Sequence, residues 1–571
     1  MTGGADLVSW RARQAWWSPH IAWLVVAFAL VTLVMTWPFT NYRALGEAAY
    51  GGDGLLIVWT LAWDNHALIE GLPLFRSNIY FPAPETLQYN EHLFGLSLFT
   101  LPWTLLGRSA VFAHNMTWWA AYVGNGLAAF VLLRRFVSNP TAAFVGSLVF
   151  TFSFYVQLHT SGHLHLIWLW GIPLSLWQLE RWFDRPSLGR MVGWAAVVTI
   201  AALTSWYLAV IVGVANGLFG LWLVSTASEG EIAPRGTTAA RRWALRGVHA
   251  AIGAGLVAVL VVPFAGHYRG MQAPPGAAVA LSATPGSFVI PPANTIPGRW
   301  WLAHIDARPG SIWGESTVFL GWTALALAFA GLIVLLRGRA RSRRAWVFVL
   351  LTVAGALLSL GPSPALPGGD LLAPFGWLAQ VPGFSGMRAP ARFVILVTLG
   401  LAGLVAVAVD AWLKPGTRGQ HIAVAAIVPL MLGEWFVVDF PAGRPQVLPV
   451  PAIYRVPEVQ AARSLVSLPD YSRHAEWYLG GDYLYYATAH WRPIVNGFGR
   501  AEPPGHADLI EMTGRFPATA ATLRDLGIQY VVVHGDRFAD RGVPLLAAAR
   551  HHPACRLVTQ IGSDYLFELV P

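Results

Sequence analysis

Apolar runs recur along this chain, separated by short polar or basic loops, and most approach the ~20 residues a helix needs to cross a bilayer core. Runs near 20–38, 109–134, 141–157, 164–182, 190–204, 207–225, 248–265, 316–337, 346–361, 393–412 and 421–438 predict about eleven transmembrane helices. Two further stretches have a different character. "AYGGDGLLIVWTLAWDNHALIEG" (49–71) reads as a glycine-rich turn opening an amphipathic helix at about Leu55. "LFGLSLFTLPWTLLG" (93–107) is apolar but short, and Pro102 interrupts it. Both are expected to lie along the membrane surface rather than across it.

The basic residues support that choice. Arg11 and Arg13, Arg134 and Arg135, the loops 181–190 and 235–246, "RGRARSRR" (337–344), and Lys414 with Arg418 all fall between spans that put them on one side. Cytoplasmic loops carry the excess of Lys and Arg, so this side is inside and the N-terminus with it. Counting 93–107 as a span would invert every later loop. The segments 40–108, 266–315 and 362–391 then face outward. The first run ends in "MTWPFT" with no small-residue cleavage site, so it is expected to remain as a signal anchor in the plasma (inner) membrane.

After residue 439 the texture changes to proline-punctuated polar sequence with short strand signals. The helical "ATLRDLG" (521–527) precedes the strand-like "QYVVVH" (529–534), and Gly562-Ser563 separates "CRLVTQI" from "DYLFELV". The expected organisation is a transmembrane domain over 1–439 and a small extracytoplasmic α/β domain over 440–571.

Composition agrees with an α-helical polytopic membrane protein. Of 571 residues, 55% are hydrophobic and 12% charged, against about a quarter charged in soluble globular chains. The net charge of +9 is nearly all arginine, with Lys414 the single lysine, and its place in short loops speaks for orientation rather than nucleic acid. A P-loop lysine motif is missing, and one cysteine, Cys555, leaves no intramolecular disulfide or thiolate cluster.

Few ionisable groups lie in the spans; His114, Asp410 and Glu434 are the main ones. A charge at mid-bilayer costs ~3 kcal/mol, and pumps and relays retain such groups. Their scarcity argues against an ion-coupled transporter. The unusual polar residues gather on the outward side. Asp53 sits in "GGDG", where it could cap a helix, and Asp64 follows eleven residues later on the same face. "YFPAPETLQYNEHLFG" (80–95) presents Glu91 and His92 before the second surface helix, where Asn90 or Glu91 could cap the helix or the group could form a second polar cluster facing Asp53.

"LHTSGHLHLIW" (158–168) carries His159, His163 and His165 at a spacing that suits substrate contact better than one metal site. "PGFSGMRAPARFVILVTLG" (382–400) puts Arg388 and Arg392 around Pro390 at a helix start, where the helix end and two guanidinium groups favour a phosphate. Snorkelling arginines are the plainer reading, but that belongs to the inner face. Arg308 and Glu315 stand at the mouth of another span.

Taken together, "GGDG", "NEHLFG" (90–95), "GESTVFLG" (314–321), "RAPARF" (388–393) and "LRDLGIQYVVVH" (523–534) resemble the GT-C superfamily, and within it a broad bacterial branch. These are multi-span glycosyltransferases that use polyprenyl-phosphate sugars. The resemblance implies a sugar donor of that kind and a lipid, glycan or protein acceptor at the outer face of the bilayer. It puts the catalytic carboxylate of the first outer loop on Asp53, with Glu91 and His92 as further catalytic candidates. Arg388 and Arg392 are the expected phosphate ligands, and Asp64, His163 and Glu315 the candidate substrate contacts. Many members place a second acid near the first, whereas Gly52 and Gly54 flank Asp53 here. No metal ligand is therefore assigned, and use of Mg or Mn stays open. Two competing readings are a lipid-carrier flippase and a non-catalytic scaffold with an outer binding domain.

Overall fold

A computed structural model describes residues 19–37, 48–227, 239–268, 274, 276–305, 314–340, 342–362, 373–381, 384, 386–439, 445–471, 476–499, 501–538 and 542–571. The helices include α1 (Pro19–Met35), α2 (Asp53–Glu70), α3 (Phe94–Leu105), α4 (Ala110–Leu133), α5 (Pro140–Phe152), α6 (Gly171–Asp184) and α7 (Leu188–Thr204). They continue with α8 (Trp206–Ser225), α9 (Ala239–Gly266), α10 (Trp322–Leu336), α11 (Val347–Ser359), α12 (Val394–Trp412), α13 (Arg418–Trp435) and α14 (Gly480–Ala487). The chain divides into a helical unit, Met1–Trp37 with Trp118–Thr160 and His165–Pro441, and a mixed unit, Pro38–Thr117 with Ser161–Leu164 and Ala442–Pro571.

Each apolar run expected to span contains helix, and 141–157 is divided at Ser153 into Pro140–Phe152 and Phe154–His159. Five helical stretches among the described residues are long and apolar enough to cross a membrane: Ala110–Leu133, Pro140–His159, Trp206–Ser225, Trp243–Gly266 and Pro390–Trp412. The expected span 164–182 is broken into a short turn, Leu164–Ile167, and α6. Pro173 has no N–H to donate and its ring clashes one turn back, so the helix starts just before it, at Gly171.

In the helical unit, α12 is the central element, with every residue from Val394 to Val409 buried. Neighbours reach its backbone through glycines. A Cβ on Gly331 of α10 would lie 2.0 Å from the Leu404 carbonyl oxygen, and one on Gly403 would strike the Phe348 ring at 2.1 Å. Where lipid removes most of the hydrophobic drive between helices, such close contact is a main source of association.

Loops expected to be cytoplasmic meet at one end of this unit. The Arg135 guanidinium contacts Glu180 at 2.6 Å and Asp184 at 2.5 Å, and Arg344 contacts Asp184 at 2.9 Å. Arg246 donates to the Phe183 carbonyl, and Asp410 accepts the backbone N–H groups of Ser138 and Asn139. Loops read as same-sided from charge alone are thus neighbours in space.

In the mixed unit, β1 (Ala48–Ala49) pairs antiparallel with β2 (Gln446–Val447), and β3 (Leu465–Leu468), β4 (Tyr530–His534), β5 (Cys555–Ile561) and β6 (Asp564–Leu569) form a sheet in the order β3-β4-β6-β5. The β3 and β4 strands are parallel, whereas β6 is antiparallel to both β4 and β5. The β5–β6 hairpin and the β4 strand match the apolar runs that predicted them. Val466, Val531, Val533, Leu523 and Phe567 form part of the core beneath the sheet. The first-loop helices α2 and α3 belong to the same unit, held together by Asn65, whose amide donates to Thr100 and Thr104 at 2.8 and 2.9 Å.

Candidate functional site

Asp53 owes its position to the glycines around it. Gly52 has φ 59° and ψ −121°, a backbone conformation that side chains resist, and it lets the chain turn sharply into α2. Asp53 is the first helical residue, not the cap, and the cap position makes no side-chain hydrogen bond. The Asp53 carboxylate lies 3.1 Å from His163 Nε2, with 42% of the acid side chain and 31% of the histidine exposed. An accessible carboxylate thus stands at a helix N-terminus beside an imidazole that can orient it.

The other first-loop candidates go elsewhere. Asp64 lies eleven residues further along α2, ~16 Å at 1.5 Å per residue, and is fully buried. Burial pushes its carboxyl well above the usual carboxylate range. Enclosed and about three turns along the helix, Asp64 does not join Asp53. His92 is 1% exposed, and its Nδ1 accepts the N–H of Phe94, which fixes the start of α3. Glu91, beside it, is partly buried.

A second cluster lies within the helical unit. Arg392, 3% exposed, grips Glu315 with both ends of its guanidinium fork, with Nε to Oε2 at 2.9 Å. Its guanidinium carbon lies 4.0 Å from the centre of the Tyr207 ring, and His159 Nε2 approaches Glu315 at 3.6 Å. Arg392 and Glu315, proposed separately from sequence, thus form one neutralised pair. Arg388 is partly exposed, and its backbone N–H donates to the Tyr207 hydroxyl at 3.3 Å. Among the described residues, no carboxylate pairs with its guanidinium. Arg308 lies outside the described residues.

The helical unit also holds an apolar cavity of about 540 Å³ between α1 and α13, lined by Leu30, Val34, Val428, Leu432 and Phe436 together with Ile296. Among the described residues, no group of three or more His, Cys, Asp or Glu side chains is arranged to hold a metal ion. Asp53 and His163 offer two donors, one carboxylate and one imidazole.

Sequence reading missed a buried chain in the mixed unit. Asp564 Oδ1 contacts His534 Nδ1 at 2.7 Å, His534 Nε2 contacts the Tyr454 hydroxyl at 2.8 Å, and that hydroxyl contacts Ser467 at 2.7 Å. These residues span more than a hundred positions, and no local pattern joins them. His534 is 2% exposed. The satisfied, enclosed chain ties β3, β4 and β6 together.

The profile of a family described as a domain of unknown function (DUF6311) matches residues 98–432. Among solved structures, the arabinofuranosyltransferase AftD from Mycobacteria is similar at a TM-score of 0.60 and 14% identity, over 98% of this chain and 40% of that one. This chain thus spans about 40% of the length of AftD. An oligosaccharyltransferase of Archaeoglobus fulgidus matches at a TM-score of 0.47 and 13% identity, over 92% of this chain and 70% of that one. ArnT from Cupriavidus metallidurans matches at 0.45 and 13%, over 96% and 98%. No curated protein matches the sequence. At the level of fold, the GT-C resemblance holds.

Proposed function

For this chain, which belongs to the DUF6311 family, we propose the function of an inverting membrane glycosyltransferase. It takes a sugar from a polyprenyl-phosphate donor and passes it to a hydroxyl acceptor at the extracytoplasmic face. One observation carries the reading: Asp53, half-exposed at the start of α2, has His163 3.1 Å from its carboxylate. The fold shared with AftD, whose name is that of an arabinofuranosyltransferase, supports the same chemistry.

In this mechanism, the acceptor hydroxyl oxygen attacks the anomeric carbon while Asp53 takes its proton. The new C–O bond forms as the bond from that carbon to the phosphate oxygen breaks, and the electron pair leaves with polyprenyl phosphate. A phosphate ester is already a good leaving group, so the enzyme supplies a base and a cation rather than a strong acid. His163 orients the Asp53 carboxylate. Arg388 receives the phosphate charge, because Glu315 already occupies Arg392. Arg392 in turn fixes the turn before α12 that carries Arg388. The prenyl tail lies against the apolar lining between α1 and α13, which matches it in chemistry.

The proposed topology has about eleven spans, a cytoplasmic N-terminus, surface helices α2 and α3, and residues 440–571 outside. The ionic cluster around Arg135, Glu180, Asp184 and Arg344 supports it by joining loops expected on one side.

The direct test is the full chain in lipid nanodiscs with a panel of labelled polyprenyl-phosphate hexoses and pentoses. The expected result is release of polyprenyl phosphate together with a glycosylated acceptor. Movement of the labelled lipid across a vesicle membrane, with the sugar–phosphate bond intact throughout the panel, would establish the flippase instead.

A further inference from the structure

Two large aromatic side chains stand exposed in the mixed unit, next to the turn that carries Asp53. Trp477 is 52% exposed and Tyr478 48%, on the 3₁₀ turn Trp477–Leu479 that leads into α14. The Trp477 ring stacks on Phe498 with centroids 5.5 Å apart and planes 9° from parallel. Phe498 is itself buried, and its carbonyl accepts from the Asn90 amide at 3.2 Å. One face of the indole is therefore backed by the protein core, while the half-exposed ring keeps its other surface for contact.

Glycines hold this turn against the Asp53 turn. A Cβ on Gly52 would approach the Tyr478 Cβ at 3.2 Å, and one on Gly481 would come within 2.7 Å of the Gly52 carbonyl oxygen. The two short sequences "GGDG" (51–54) and "GGDY" (480–483) thus pack backbone to backbone. Tyr478 rests against the residue immediately before Asp53.

Rigid aromatic planes beside a carboxylate complement a molecule with a flat apolar face and a hydroxyl edge. A sugar ring has both: C–H groups on its faces and hydroxyls around its rim. Trp and Tyr give such a ring a large contact area at low entropy cost, since only two torsions must be fixed. We propose that Trp477 and Tyr478 form the acceptor subsite, stacking a carbohydrate ring so that one of its hydroxyls is presented to Asp53. The acceptor is therefore a glycan. This assignment rests on the transfer reaction proposed above; the binding of the sugar ring does not.

Saturation-transfer NMR on the full chain in nanodiscs tests the subsite, with methyl α-mannopyranoside and methyl α-arabinofuranoside as probes. The ring-proton signal of at least one probe should fall threefold or more in Trp477→Ala and hold at half or better in Trp477→Phe. Should Trp477→Ala leave the ring signals unchanged, or should neither probe receive saturation from the native chain, the subsite is refuted. In the second case, flotation with phosphatidylcholine vesicles would show whether the aromatics meet lipid. Sugar binding lost in Trp477→Ala, in a native chain that turns over no donor, would keep the subsite and refute the transferase. Where transfer occurs, Trp477→Ala should raise the acceptor KM at least fivefold and change kcat much less.

Discussion

Replacing Asp53 by Asn keeps the shape of the side chain and removes its ability to take a proton. General-base catalysis contributes about 10²–10⁴-fold to rate, or ~3–5 kcal/mol of barrier. The exposure of His163 sets a smaller scale for its own replacement. A hydrogen bond to a charged group is worth ~1.5–3 kcal/mol when enclosed. With roughly a third of the imidazole and two-fifths of the carboxylate in solvent, screening brings this to ~1 kcal/mol. His163→Ala should therefore slow transfer about fivefold, and Asp53→Asn a hundredfold or more. Because the histidine acts through the aspartate, the double variant should be no slower than Asp53→Asn alone. The assay is the initial rate of polyprenyl-phosphate release at saturating donor and acceptor, with native-like melting of each variant as the folding control. Native rates in Asp53→Asn would remove the carboxylate from the mechanism. A much larger loss in His163→Ala than in Asp53→Asn would make His163 the base and Asp53 its orienting partner.

Three further outcomes follow from the same geometry. Arg388→Ala should raise the donor KM tenfold or more, with a smaller change in acceptor KM; an unchanged donor KM would place the phosphate elsewhere. Glu315→Gln leaves the buried Arg392 without its counter-charge, at a cost of ~3–5 kcal/mol; it should lower the melting temperature of the purified chain, and a native melting curve would refute the buried pair. Burial lowers His490 from 6.5 to about 4, with Arg492 adding to the effect, so the unfolded chain binds the proton more readily between those values. The associated stability is complete above about pH 6.5 and lost as pH falls toward 4, ~3 kcal/mol in all. Hydrogen exchange at β4 should accelerate over that window, and less so in His490→Gln.

Hydrophobic pattern was enough to place the helices, because burial in lipid or core is decided residue by residue within one segment. The same local logic gave the β5–β6 hairpin and the helix over 94–105, and the basic loops it grouped include those that meet through Arg135 and Arg344. It also singled out Asp53, whose flanking glycines mark an unusual turn. Partnership was another matter. His163 reaches Asp53 from 110 positions away, and Glu315 neutralises Arg392 across 77. Helical spacing put Asp64 on the same face as Asp53, but packing of α2 against α3 enclosed it. Charge pairing and solvent access depend on which distant segments come together, and a linear pattern carries the apolar cost of each segment but not the identity of its neighbour.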